Sequence, residues 1–320
     1  MKKLKKVWML ALLAVGFALV FGGCSNTKDE TETEQDGGDE TGGTGDSNND
    51  SENPDDPNAP KTRYTSDAWV KNDFTGEDGK PSLYPTLNIA LDSISLDENL
   101  KVSDYDYVKV NVTYTKNSKE VTNNKGSVRI EDADANYLSY TEYVNAVSSE
   151  YSSAYLPIKG VIDDFSIAKQ ISIQCNNAKW DSTSNANVLS EEIDTIKVNY
   201  IEFVKIANVK KGVSCNKESW GDGNSFVEEI VKAGKAGDKV VFAFVYDSED
   251  NEGWGIAQLQ SNDGTDKGLE LSKGNGKGST AAGGIEEFEV SYDDVKSDAT
   301  SGRTMIWFGN SAALQYAYIK

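Results

Sequence analysis

Between residues 108 and 319 the chain is broken into short runs in which apolar and polar residues alternate. VKVNVTYT (108–115), GSVRI (126–130), QISIQC (170–175), TIKVNYIEFVKI (195–206), KVVFAFVY (239–246), EEFEVSY (286–292), TMIWF (304–308) and LQYAYI (314–319) are rich in Val, Ile, Phe and Tyr. Clusters of Gly, Asn, Asp or Ser separate them. A period of two sends successive side chains to opposite sides of a strand, so each run has one face for a core and one for solvent. Helical spacing is scarce. Many short strands punctuated by turns predict an all-β chain of antiparallel sandwiches.

The runs also repeat. DYDYVKVNVTYTKNS (104–118) matches AGDKVVFAFVYDSED (236–250): an acidic turn, a strand ending in tyrosine, then a polar loop. SVRIEDAD (127–134) is followed in the same order as WGIAQLQSND (254–263). Each half then closes with a strand pair, ISIQCNN with IKVNYIEFVKI and MIWFGNS with ALQYAYIK. Two copies of one β-sandwich, 63–206 and 207–320, account for this pattern. One large sandwich is the alternative.

The second half, with GD at 237–238, a strand, a polar loop, a strand, an acidic strand, WFG at 307–309 and a closing strand, resembles the jelly-roll carbohydrate-binding modules of bacterial secreted glycanases. The first half resembles them through ISIQCNNAKW and the strand that closes it. The resemblance implies two jelly-roll-like domains, a polysaccharide ligand of the β-linked plant type, and a structural calcium ion as a possible cofactor. Asp104, Asp106, Asp132, Asp134, Asp247 and Asp250 stand in turns where carboxylate ligands would lie, and no metal ligand is assigned among them.

Ahead of the strands stand two segments of another kind. Lys2, Lys3, Lys5 and Lys6 precede the uncharged run VWMLALLAVGFALVF, which ends at GGC with Cys24. Residues 1–23 have the parts of a signal peptide, and the arrangement is similar to a bacterial lipoprotein signal, in which Cys24 becomes the lipidated first residue. Read instead as an uncleaved anchor, the run is only marginally long enough to span a bilayer. Both readings export and tether the rest, with the membrane as a partner and the cell surface as the location. Residues 24–62 follow as a linker. SNTKDETETEQDGGDETGGTGDSNNDSENPDDPNAP holds twelve acids, one lysine and no large apolar residue, so it is expected to stay disordered.

Composition narrows the function. The net charge is −20, which argues against nucleic acid, because phosphate neutralisation needs a basic surface. No histidine is present, which removes Ser-His-Asp and Cys-His catalysis and the usual zinc sites. KGNGKGSTAAGG (273–284) lacks the spacing of a phosphate loop and reads as a surface loop. Cys175 and Cys215 are the only thiols besides Cys24, read as two free thiols or one bridge. EEIDTI (191–196) is similar to a motif of jelly-roll glycanases with Glu192 as nucleophile and Asp194 as helper, but Ile196 occupies the acid/base position. Without a proton donor the glycosidic oxygen is not protonated, so the chain is expected not to be an enzyme.

What remains is binding. In GWGIAQLQ (253–260) alternation puts Trp254 on one side with Gln258 and Gln260. Sugars offer an apolar C–H face and a rim of hydroxyls, and an indole beside two amides complements both. Gln315 on the last strand and Trp307 on its neighbour complete the expected glycan site, although Trp307 beside Ile306 and Phe308 also reads as core. In the first half the polar set is Lys109, Asn111, Arg129, Gln174 and Asn176, with Trp69 or Trp180 nearby. Tyr137, Tyr140, Tyr143, Tyr151 and Tyr155 form either a sugar platform or ordinary packing at the sandwich rim. The leading expectation is a non-catalytic, surface-anchored glycan-binding lipoprotein. A structural or adhesive surface protein that binds a protein partner is the second, and a divergent glycoside hydrolase the third.

Overall fold

The computed structural model describes residues 59–76, 78–121, 124–145, 153–190, 193–215, 223–246, 257–261, 263–271, 285–308 and 312–320. Residues 1–58, which include Cys24 and nearly all of the acidic linker, and Glu192, Asp247, Asp250, Trp254 and Tyr151 lie outside these residues. The fold is all-β and sandwich-like, and the strand pairings among the described residues are antiparallel.

In the first half one sheet runs Arg63–Tyr64, Thr195–Val204, Tyr107–Lys116, Lys119–Glu120, with Ser153–Pro157 also paired to Tyr107–Lys116. The facing sheet runs Thr86–Ala90, Gln170–Cys175, Asn124–Glu131, Tyr137–Asn145. Alternation decides what each face carries. Val108, Val110, Val112 and Tyr114 meet Val128, Ile130, Ile171 and Ile173 in one core, all fully buried. Burying such aliphatic side chains contributes about 1.5–3 kcal/mol each.

The strand Thr195–Val204 breaks its own period. Ile196 and Val198 face the core, and so do Ile201 and Phe203, one residue out of phase. A register shift between Val198 and Tyr200 absorbs the extra residue, so Asn199 sits in a bulge. The last strand, Ala312–Ile319, does the same: Leu314, Ala317 and Ile319 are core, and the shift leaves Gln315 as the extra residue between Leu314 and Tyr316.

This correspondence extends to the pairings. Lys239–Tyr246 pairs with the last strand as Tyr107–Lys116 pairs with Thr195–Val204. Ala257–Ser261 pairs with Arg303–Phe308 as Asn124–Glu131 pairs with Gln170–Cys175. Ile285–Ser291 takes the place of Ser153–Pro157, and Lys267–Glu270 that of Tyr137–Asn145. The second core holds Phe242, Phe244, Leu259, Ile306 and Leu314.

Two helices depart from the sequence expectation. Gly223–Ala233 brings Phe226, Val227 and Ile230 into the second core from one face. Tyr292–Thr300 brings Tyr292 and Val295, with the Ser291 hydroxyl accepting from the Asp293 amide at its start. They stand where the first half has only the 3₁₀ turns Val102–Asp104 and Phe165–Ile167.

The two halves meet on a third cluster: Tyr107 and Tyr155 from the first, Val241, Ala243, Tyr316 and Tyr318 from the second, with Val209 between them. The Tyr155 and Tyr316 ring centroids are 4.9 Å apart, and the Tyr107 hydroxyl donates to the Ala317 carbonyl at 2.9 Å. Gly212 also lies on this seam, where a Cβ would stand 2.4 Å from Pro157. Cys175 and Cys215 are thiols outside any disulfide, buried in the first and second cores, and burial pushes the Cys175 thiol up to about 12.

Candidate functional site

Because the halves repeat, their polar faces can be laid over one another. Ile130 and Leu259 point into their cores, so Arg129 with Glu131, and Gln258 with Gln260, occupy equivalent positions on the opposite side of their sheets.

In the second half Gln258 is the Cα partner of Trp307 and Gln260 that of Met305. Directly paired residues share a face, so the expected association of Gln258, Gln260 and Trp307 is present. Both glutamines are nonetheless buried, at 8% and 5% exposure, and Trp307 is half-buried. Gln315 is not with them. It belongs to the other sheet, at the bulge that matches Asn199. The part-buried Asn199 amide donates to Asn111 Oδ1 and Thr113 Oγ1, both at 2.8 Å, on the face of the sheet away from its core. The break in phase between Leu314 and Ala317 was the available signal.

The first-half polar set divides between two surfaces. Lys109 and Asn111 lie on the sheet that meets the second half. Lys109 Nζ stands 5.5 Å from the ring centroids of both Tyr155 and Tyr200, and Asn111 is buried against Ser153. Arg129 and Gln174 lie on the facing sheet, on its side away from the core. There the partners run Asn88, Ser172, Arg129, Tyr140 in one row and Thr86, Gln174, Ser127 in the next. Glu131, buried at 5% exposure, accepts on Oε2 from Gln170 Nε2 at 2.7 Å and from the Ser172 hydroxyl at 2.6 Å. Its other oxygen is 3.3 Å from Arg129 Nε. Arg129 in turn donates to the Tyr137 hydroxyl at 2.5 Å and lies 4.8 Å from the Tyr137 ring centroid. Tyr137, exposed, stacks on Tyr140 with ring planes at 14°. The result is an exposed tyrosine stacked on a half-buried one, held by a guanidinium that a buried carboxylate holds in turn.

The remaining candidates are placed plainly. Trp69 is core, Trp180 is 61% exposed, and Asn176 accepts from the Ala178 amide. Tyr155 is at the seam rather than on a platform. Ile196 is fully buried, and Asp194 accepts from the Asn117 amide at 2.7 Å, which holds its carboxyl below the usual range. Among the described residues no three acids, cysteines or histidines converge as a metal site. Asp132 instead closes a turn with the Asp134 and Asn136 amides, and Asp106 accepts from the Ile206 amide beside Lys159.

No protein-family model matches the chain, and no curated protein matches it. Similar solved structures include the glycosylasparaginase PNGase F of Flavobacterium meningosepticum, at 10% identity and a TM-score of 0.28 over 80% of this chain and 92% of that one. They also include SGBP-B of the Bacteroides ovatus mixed-linkage glucan utilization locus in complex with a mixed-linkage heptasaccharide, at 12% identity and a TM-score of 0.22 over 73% and 70% of the two chains. At this level of similarity neither assigns a function.

Proposed function

We propose that this chain is a non-catalytic glycan-binding protein, exported and held to a membrane through a lipid on Cys24, and that the face around Arg129, Glu131, Tyr137 and Tyr140 receives the sugar. One observation carries the reading: an exposed tyrosine, Tyr137, stacked on the half-buried Tyr140 and fixed by a half-buried arginine and a buried glutamate. A flat ring pair takes the C–H face of a pyranose, while Gln174, Thr86 and Asn88 on the same side of the sheet are suited to its hydroxyls. Pre-organisation of this kind lowers the ordering cost of binding. The equivalent face of the second half, where half-buried Trp307 stands beside Gln258 and Gln260, is proposed as a second place of contact, and Trp254, outside the described residues, is proposed as its stacking indole. A β-linked plant-type polysaccharide is the ligand class. The non-catalytic part rests on the lack of histidine and on Ile196, a core residue where a glycanase needs its acid.

Affinity electrophoresis through gels containing neutral β-glucans, xylans and mannans tests this. The full chain should be retarded by at least one of them, and Tyr137→Ala should weaken that retardation roughly five-fold, the worth of an aromatic contact of about 1 kcal/mol, without changing the melting temperature. Retardation by none of the polymers rejects the reading.

A further inference from the structure

Beyond the last core residue of the Gln170–Cys175 strand the chain leaves its sheet and forms a separate two-stranded ribbon, Ala178–Asp181 against Ala186–Leu189. Trp180 lies on this ribbon at 61% exposure, directly opposite Asn187. The Asn187 amide donates to the Tyr84 hydroxyl at 3.1 Å, and Tyr84 is itself 42% exposed. An indole, an amide and a phenol therefore stand together in solvent, away from both cores.

The ribbon is held at both ends. At its base Asn177, buried at 3% exposure, accepts on Oδ1 from the Ser190 hydroxyl at 2.8 Å and from the Ile193 amide at 3.3 Å, while its Nδ2 donates to the Ile193 carbonyl. Its backbone amide donates to the Leu83 carbonyl, which ties the ribbon to the segment bearing Tyr84. At the tip the Asp181 carboxylate accepts from the Thr183 and Ser184 amides and from the Ser184 hydroxyl. A two-stranded ribbon alone is marginal in water, so these ties are what hold the indole in place.

We infer that Trp180, Asn187 and Tyr84 form a second sugar-binding platform, selective for neutral polysaccharide. The class of ligand follows from the chemistry. A flat, fixed apolar surface edged by an amide and a hydroxyl fits a pyranose ring, and an acidic chain of net charge −20 disfavours a polyanion. The platform also extends the Arg129 face rather than standing apart from it. Tyr84, Thr86 and Asn88 follow one another at every second residue, and Thr86 and Asn88 pair with Gln174 and Ser172. A chain lying along this face passes from Tyr137 to Trp180. The inference rests on the glycan-binding reading above and adds a place and a preference to it.

The experiment uses the full chain, Trp180→Ala, Asn187→Ala and Tyr137→Ala, each measured by affinity electrophoresis in neutral and in uronic-acid-rich polysaccharide gels and by thermal unfolding. Trp180→Ala is expected to weaken retention on a neutral polymer about ten-fold, the factor that 1.4 kcal/mol represents, with an unchanged melting temperature. Asn187→Ala should weaken it less. Retention of Trp180→Ala equal to that of the parent, while Tyr137→Ala loses it, overturns the platform and leaves the functional reading standing. A large fall in melting temperature for Trp180→Ala overturns it too, by making the indole a packing residue. Stronger retention on the acidic polymer overturns the preference, and no retention of the parent on any polymer overturns both readings.

Discussion

Single side chains in this protein do more than alternation assigns them. Arg129 and Gln258 occupy equivalent strand positions, yet one holds a solvent-facing tyrosine and the other is buried beside a tryptophan's strand. The repeat also fixes turn residues. Asp132 and Asp263 follow the two equivalent strands, and each carboxylate closes its own turn. For Asp263 the Ser261 hydroxyl, then the Thr265 amide and hydroxyl, hold the carboxyl down at about 2. A carboxyl lowered on folding contributes stability above its unfolded pKa of about 3.9 and loses it as pH falls toward the folded value. Asp263→Asn should therefore be less stable than the parent at neutral pH, with the gap narrowing between roughly pH 4 and pH 2. Urea midpoints measured across that range check it; a gap independent of pH would show that the charge plays no part.

At the scale of elements, the strands were legible because their period is two and their faces differ. The helices were less so. Tyr292–Thr300 begins within a segment that reads as strand, EEFEVSY, and its start is set by a local hydrogen bond at Ser291, with Asp293 and Asp294 in the first turn favouring the amino end of the helix. Ser291→Ala should cost about 1 kcal/mol, read as a shift in urea midpoint, because it leaves the Asp293 amide without its partner. Gly223–Ala233 shows a short apolar stripe, Phe226, Val227 and Ile230, which eleven residues among strands do not make conspicuous. The bulges escaped for a different reason. Gln315 and Asn199 look like solvent-facing polar positions until Ala317 and Ile201 are counted, and the count shows that the phase has slipped. Of the expected glycan site, Gln258, Gln260 and Trp307 share a face because strand pairing follows from alternation. Gln315 does not, because which sheet a strand joins is decided by non-local packing. The Tyr137–Arg129–Glu131 chain spans two strands, and only their register brings its members together.

For the whole molecule the seam is decisive. Tyr107 is fully buried, its ring packed against Tyr155 and Tyr316 and its hydroxyl bound to a carbonyl of the last strand. Tyr107→Phe keeps the packing and leaves the Ala317 carbonyl without that donor, so it should cost about 1–2 kcal/mol of stability. Both cores should feel it, and tryptophan fluorescence and far-ultraviolet circular dichroism should report one common, lowered midpoint. A drop seen by only one probe would mean that the halves unfold separately.

A seam packed in this way also removes a variable that tandem binding proteins usually have, the length and slackness of the segment between their modules. For a polymer that engages one half, the concentration of the other half's face is fixed by geometry rather than by a random coil. Under the proposed glycan-binding reading, avidity should then depend on the ligand's reach: oligosaccharides too short to touch both faces should bind with the affinity of one, and longer chains should gain abruptly instead of gradually.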